Sequence, residues 1–243
     1  VWSVVLPVKS FSRAKSRLAA GLGPWRQELA HAFFLDTLWA VRNTEGVRTV
    51  VVVTADPLAA SQARTLGALV CPDAPDPDLN DAIRLGAAKC RSVGPEGPVA
   101  VLTADLPGLR PRELEHVLRA ARNHDRAFVA DHTDEGTTVL TALTTAGLAP
   151  AFGPDSAHRH TSLGAFPVDM PSDCGIRLDV DTPEDLARVA LRGVGPYTAA
   201  LFRLRKARYP AAADPVQGFQ GAQDVQDVQD VQGVQGASAT ASS

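Results

Sequence analysis

Asp105 stands just past the short apolar run Val99–Leu102, in Thr103-Ala104-Asp105-Leu106-Pro107. A single carboxylate delivered by the C-terminal end of a buried strand, with Pro107 stopping the strand, is placed to share Mg2+ with substrate phosphates. An Asp in a turn leading into a helix would look the same in isolation. Asp179-Val180-Asp181-Thr182-Pro183 supplies two more carboxylates. Residues two apart on a strand share a face, so Asp179 and Asp181 are expected to point the same way. Like charges so placed repel unless a cation lies beside them. A metal role fits Asp179 better than Asp181, which can instead assist a helix cap at Thr182. The cationic counterpart follows the first apolar run, where Lys9, Arg13, Lys15, Arg17 and Arg26 all precede the first acidic residue, Glu28. Ligands of open α/β sheets bind beyond the C-terminal ends of the strands. A cationic loop there suits a polyanion such as a triphosphate.

The stretch from Asp131 through Ser156 is polar and contains Glu135-Gly136-Thr137-Thr138 and Phe152-Gly153-Pro154-Asp155-Ser156. Gly permits close backbone approach, and Thr and Ser hydroxyls can hold a phosphate or carboxylate; two surface turns would read alike. His158 and His160 alternate, but no third ligand lies near, and Mg2+ prefers oxygen. A phosphate contact or a surface place is expected for them. There is no G-x-x-x-x-G-K-[ST] loop and no G-x-S-x-G elbow. Gly21-Leu22-Gly23 is followed by Arg26 where a dinucleotide fingerprint wants Gly.

The elements that must position these groups are legible as period and punctuation. Ser3–Leu6, Thr49–Val53, Leu69–Cys71 and Val99–Leu102 are short apolar runs suited to strands buried on both faces. Helical patterns lie between them. Gln27–Arg42 places Phe33, Phe34, Thr37, Leu38 and Val41 on one face, and Leu114, Val117, Leu118 and Ala121 repeat at helical spacing behind Pro111. Strands alternating with helices predict an α/β fold, a mostly parallel sheet with helices on both faces. After Asn123 the pattern changes. Phe128–Ala130, Val139–Ala142 and Pro167–Asp169 read as short strands without clear helices between them, suited to an antiparallel edge or small lid. Thr182, Pro183 and Asp185 form a capping signal for a helix with Leu186, Val189 and Ala190 inward. A last helix is expected over Tyr197–Lys206.

The 243 residues suffice for one domain, here 1–210. From 211 to 243 the composition collapses into repeats of Gln-Asp-Val and an Ala/Ser/Thr end, which predicts a disordered tail. A net charge of −3 gives no footprint for nucleic acid. No run approaches a membrane span, and the apolar start, Val1 to Val8, lacks the flanks of a signal peptide. The first residue is not Met, which fits a trimmed or partial chain. Three scattered cysteines, Cys71, Cys90 and Cys174, form no C-x-x-C pair and fit small packed hydrophobes in a reducing cytoplasm.

Taken together, Leu6-Pro7-Val8-Lys9…Ala14-Lys15-Ser16-Arg17-Leu18, Leu79-Asn80-Asp81-Ala82, Asp105-Leu106-Pro107, Gly136-Thr137, Phe152-Gly153-Pro154-Asp155-Ser156 and Asp179-Val180-Asp181-Thr182-Pro183 resemble the phosphoenolpyruvate / 2-phospho-L-lactate guanylyltransferases of coenzyme F-420 biosynthesis. The resemblance runs from about Val1 to Gly195. It implies a Rossmann-like, GT-A-like nucleotidyltransferase fold and transfer of GMP from GTP to a small phosphorylated carboxylic acid. It implies Mg2+ on Asp105 with Asp179 or Asp181, and the acid on Thr137, Gly153 and Ser156. Lys15 and Arg17 would neutralise the leaving pyrophosphate, Lys9 and Asn80 would lie at the nucleotide, and a downstream GMP-transferring enzyme would receive the product. Asp134 and Glu135 depart from the neutral or basic residues expected beside an anionic substrate. Rival readings are a nucleotidyltransferase for a sugar phosphate or the molybdenum cofactor, whose first loop is usually Gly-rich, and a non-catalytic nucleotide-binding module.

Overall fold

A computed structural model describes residues 1–12, 25–73 and 78–208. The tail expected over 211–243 lies outside the described residues, as do Arg13, Lys15 and Arg17. In chain order the elements are β1 (Trp2–Val8), α1 (Trp25–Arg42), β2 (Val47–Thr54), α2 (Pro57–Thr65), β3 (Leu69–Pro72), α3 (Leu79–Val93), β4 (Val99–Leu102) and α4 (Pro111–Ala121). There follow β5 (Arg126–Ala130), β6 (Thr137–Ala142), α5 (Ser156–Ser162), β7 (Phe166–Pro167), a 3-10 turn (Gly175–Arg177), α6 (Pro183–Arg192) and α7 (Pro196–Arg208).

The seven strands form one sheet in the order β3-β2-β1-β4-β6-β5-β7. β1 pairs in parallel with both β2 and β4, and β2 with β3. The chain reverses beyond β4: β6 is antiparallel to β4 and to β5, while β7 runs parallel to β5. The expected α/β class therefore holds, with the antiparallel part where the sequence pattern changes. Its third short strand is only two residues long.

Alternation along the strands sends successive side chains to opposite faces. Val4, Leu6, Val50, Val52, Ala100 and Leu102 pack under α1, α2 and α4. Val5, Val51, Val53, Val99 and Val101 pack against Ala82, Ile83, Ala87 and Cys90 of α3. Each such Val, Leu or Ile contributes about 1.5–3 kcal/mol when fully buried. All three cysteines are free and buried. The one-sided face expected for α1 is a correction. Beyond Phe33, Phe34, Thr37, Leu38 and Val41, it also buries Leu29, Ala30, Ala32, Leu35, Asp36 and Ala40. The cause is a further layer. Leu29 and Phe33 meet Leu178, Val180, Leu186 and Val189, with Leu201 and Phe202 of α7 packed against the same group. Asp36 anchors that layer by accepting from the backbone N–H groups of Tyr197 (2.8 Å) and Thr198 (2.9 Å) at the start of α7. Among the described residues no helix is long and apolar enough to cross a membrane.

Candidate active site

Strand order determines where the chemistry collects. β1 and β4 are neighbours, so the segments leaving their C-terminal ends, Lys9 and Thr103-Ala104-Asp105, lie side by side. β6 runs antiparallel to β4 in the register Leu102↔Val139, so its N-terminal end, with Thr137, lies at the same edge. Thr103 N–H extends that pairing by donating to Thr138 O at 3.0 Å. A cleft of about 510 Å3 opens there, lined among others by Lys9, Asp105, Thr137, Gly153, Ser156, Asp179 and Asp181.

Each wall is held by side-chain-to-backbone and side-chain contacts. On the β1 side, the Asp56 carboxylate accepts from Ser10 Oγ and Phe11 N–H (both 3.0 Å) and from Leu58 and Ala59 N–H at the start of α2 (2.9 and 3.1 Å). It ties the segment carrying Lys9 to α2. Burial pushes the pKa of Asp56 up, but the hydrogen bonds from Ala59, Phe11, Ser10 and Leu58 outweigh it and hold the carboxyl below its ordinary value. At β4, the fully buried Thr37 hydroxyl accepts from Leu106 N–H at 3.0 Å and donates to Phe33 O at 2.8 Å, fixing the chain next to Asp105. Asp105 O in turn accepts from Val180 N–H at 3.2 Å, which draws the Asp179–Asp181 segment alongside. That segment is not the strand its alternation predicts. It is an irregular extended stretch, held by this bond and by Asp185, whose Oδ2 accepts from the N–H groups of Asp181 (3.1 Å) and Thr182 (2.9 Å). Both carboxylates nevertheless line the cleft.

The opposite wall is a loop folded around Asp131. Its carboxylate accepts from Thr133 N–H (3.0 Å), Thr133 Oγ1 (2.8 Å), Glu135 N–H (3.2 Å) and Gly136 N–H (2.9 Å). A Cβ on Gly136 would come within 2.3 Å of Asp131 Oδ2, so a larger residue there would displace the carboxylate from these bonds. The buried Arg177 donates to Asp131 O from Nε (3.1 Å) and Nη2 (2.6 Å) and pairs with Asp134 at 2.5 Å. Asp134 thereby lines a separate depression with Arg177 and Asp169 rather than the cleft. Gly153 has φ +125°, a conformation open to Gly alone, and presents its backbone to the cleft.

Residues 2–214 match the model of the family described as Guanylyl transferase CofC like. The chain belongs to this family. Two relatives, each called phosphoenolpyruvate guanylyltransferase, come from Thermomonospora curvata and Streptomyces scabiei. The first is 46% identical over 86% of this chain and 90% of its own. The second is 49% identical over 82% and 94%. Among solved structures, a nucleotidyl transferase from Methanothermobacter superposes with a TM-score of 0.56 at 15% identity, covering 77% of this chain and 95% of its own. A CMP:2-keto-3-deoxy-manno-octonic acid synthetase complexed with CTP gives 0.50 at 17%, covering 84% and 98%. At such identities the likeness is one of fold, and it is the nucleotidyltransferase fold.

Within this family member, the expected residues divide. Seven of them line the cleft, as named above. Asn80 instead grips the backbone of Phe152, donating from Nδ2 to its carbonyl (3.2 Å) and accepting from its N–H at Oδ1 (2.8 Å). It sets the position of the Phe152-Gly153 turn. Lys15 and Arg17 fall outside the described residues. Arg26 is described and donates to Ser12 O at 3.0 Å. His158 is exposed on α5, as a surface place requires, whereas His160 is 1% exposed. The expectation of a phosphate contact or surface place for His160 is corrected: positions two apart on a helix face different ways. Sequence reasoning also missed Asp56, Asp131 and Arg177. The available signal for Asp131 was Asp-x-Thr, a short-range side-chain turn.

Proposed function

We propose that the protein transfers GMP from GTP to phosphoenolpyruvate and releases pyrophosphate, with 2-phospho-L-lactate the alternative acceptor, as a step towards coenzyme F-420. The observation that carries this reading is 46% identity over 90% of the length of a relative bearing that activity in its name. The cleft supports it, with carboxylates and Lys9 on one side and a hydroxyl- and Gly-bearing wall on the other.

A phosphate oxygen of the acid attacks the α-phosphorus of GTP. A new P–O bond forms, the bond from the α-phosphorus to the bridging oxygen breaks, and its electron pair leaves with pyrophosphate. The attacking phosphate is already an anion, so no protein base has to remove a proton and no protein nucleophile is required. What remains for the chain is in-line positioning and charge neutralisation. Thr137 by its hydroxyl, and Gly153 and Ser156 by their backbone, hold the acid. Lys9 pairs with phosphate oxygens, and Lys15 and Arg17 serve the leaving pyrophosphate. Asp105 with Asp179 or Asp181, all lining the cleft, would supply carboxylate oxygens of the kind Mg2+ takes. Among the described residues no three His, Cys, Asp or Glu side chains converge as a metal site by themselves. The set therefore suits an ion shared with substrate phosphates. When bound, Mg2+ supplies charge neutralisation at the triphosphate. The product, an activated diphosphate, then suits hand-off to an enzyme that transfers its acid-phosphate part and releases GMP. A cytoplasmic setting belongs to the same reading.

The test is pyrophosphate release with GTP and Mg2+, offering phosphoenolpyruvate, 2-phospho-L-lactate, 3-phosphoglycerate and glucose 1-phosphate in parallel, with a downstream enzyme present to trap unstable product. Release with phosphoenolpyruvate is expected. Release with glucose 1-phosphate alone, or with none, would discard the proposal.

A further inference from the structure

A buried histidine beside the cleft is used by no step above. His160 is 1% exposed, and Thr137, which it contacts, and Ser156 beyond it are 6% and 2%. Its ring packs against Phe128 and Phe152, with centroids 5.9 and 5.2 Å away. Both ring nitrogens are engaged. Ala151 N–H donates to Nε2 at 3.1 Å, and Nδ1 lies 2.9 Å from Thr137 Oγ1. Burial, and after it the charge of Arg159, lowers the pKa of His160 to about 4, so the ring is neutral near pH 7 and carries one proton.

That proton has only one place to be. A backbone N–H cannot accept, so Nε2 is the bare nitrogen and Nδ1 carries the hydrogen. Nδ1–H therefore donates to Thr137 Oγ1. Ser156 Oγ donates to the same oxygen at 3.1 Å. A hydroxyl oxygen has two lone pairs and one hydrogen. Both lone pairs of Thr137 are taken from the protein side, which leaves its hydrogen for the cleft that the residue lines.

We propose that His160 is a positioning residue which, held as its Nδ1–H tautomer, makes the Thr137 hydroxyl an obligate donor towards an anionic oxygen of the phosphorylated acid. The proposal rests on the reading that this wall takes the acid. It adds a specificity device: a fixed donor selects for phosphate or carboxylate oxygen and against a ligand group that must itself donate. The same ring sets the backbone at Ala151, adjoining the Phe152-Gly153 turn. One side chain thus registers the hydroxyl and backbone parts of the acid-holding wall.

The tautomer is measurable without substrate. In long-range 1H–15N spectra of the full chain labelled with 15N-histidine, the His160 ring is identified by its loss in His160→Asn. Expected is a protonated Nδ1 with an unprotonated Nε2. The reverse pattern, or a doubly protonated ring at neutral pH, would overturn the proposal. Kinetics supply the second arm, with phosphoenolpyruvate as probe. An Asn amide reaches the place of Nδ1 and keeps a donor to Thr137, whereas a Gln amide reaches the place of Nε2 and loses it. His160→Gln should raise the KM for phosphoenolpyruvate about tenfold, the scale of one hydrogen bond to a charged group. Its KM for GTP should barely move, and His160→Asn should recover most of the loss. Equal losses in the two variants, or equal effects on both substrates, would reduce His160 to packing and refute the assignment. If no acid supports turnover, the activity reading fails, and the tautomer spectrum still decides the polarity of Thr137.

Discussion

Replacing Asp56 by Ala removes one carboxylate that accepts four hydrogen bonds, from Ser10 Oγ and from the N–H groups of Phe11, Leu58 and Ala59. The magnitude follows from what each donor loses. Leu58 and Ala59 open α2, and losing an Asp cap there costs about 1 kcal/mol. The Phe11 N–H is buried and would be left without its acceptor, at about 2 kcal/mol. The Ser10 hydroxyl is only part-buried and water can replace its partner. The expected destabilisation is therefore about 3 kcal/mol, or roughly 6–12 °C in Tm for a chain of this size. The consequence for activity is directional. Asp56 holds the segment with Lys9 and Phe11, whose ring packs on Phe34 and His31 at centroid distances of 6.0 and 5.2 Å. The KM for GTP should rise several-fold, with less effect on the acid, which the proposed function places at the wall of β6 and α5. The pH dependence has a definite sign. The folded pKa of Asp56 lies below its ordinary 3.8, so its contribution is complete above about that pH and is lost as pH falls through the lowered value. Urea unfolding at neutral pH and at pH 3, with steady-state kinetics, tests this. A loss below about 1 kcal/mol at neutral pH, or a KM for the acid rising as much as that for GTP, would refute the argument.

Asp105→Asn should lower turnover by about 100-fold or more while leaving thermal unfolding near wild type, because on the proposed reading it removes a carboxylate that would hold Mg2+ at the triphosphate; a near wild-type rate would remove Asp105 from the reaction. Lys15→Ala should cost far more activity than Arg26→Ala, since Arg26 is engaged with Ser12 O outside the cleft lining; equal losses would mean that the basic segment acts only as a diffuse field. Asp36, pushed up to about 7 chiefly by burial against the opposing hydrogen bonds from Thr198 and Tyr197, should make stability fall as pH rises from about 4 to 7. Its folded pKa is the raised one, so the stabilisation is full below 3.8 and lost through 7, on the order of 4 kcal/mol in all. His31 and His160, both lowered by burial, run the other way as pH falls below 6.5. The difference between Asp36→Asn and wild type in urea titrations isolates the Asp36 part, and parallel curves would refute it.

What the sequence made legible was whatever depends on period and punctuation. Val99–Leu102 followed by Asp105 and Pro107 sets a carboxylate at a strand end, and Thr182-Pro183 with Asp185 sets a cap; the structure has both. Family resemblance named Thr137, Gly153 and Ser156, which meet in the cleft only because β6 returns antiparallel beside β4. That register is a long-range pairing, and no local pattern states it. Asp179 and Asp181 reached the cleft for a reason other than strand alternation, through Val180 N–H on Asp105 O and through Asp185.

The most consequential miss has a single origin. Gly153-Pro154-Asp155-Ser156 reads as a turn, and it is one: Gly153 and Asp155 both have positive φ. The turn, however, launches α5 directly, so Ser156 is its first residue and His160 lies one turn on. Positions i and i+4 share a helix face, which is why both side chains reach the Thr137 hydroxyl. Read as a loop, the segment offered a serine and two unrelated histidines. As a helix it offers a Ser-x-x-x-His pair aimed at one threonine on β6. A seven-residue helix lies near the lower limit of what periodicity can register, and tertiary packing decides it. Here the packing is that of Ala157 with the cluster around Phe128, Leu140 and Phe152. The core residues that stabilise the short helix are therefore also the ones that orient the polar groups facing the cleft.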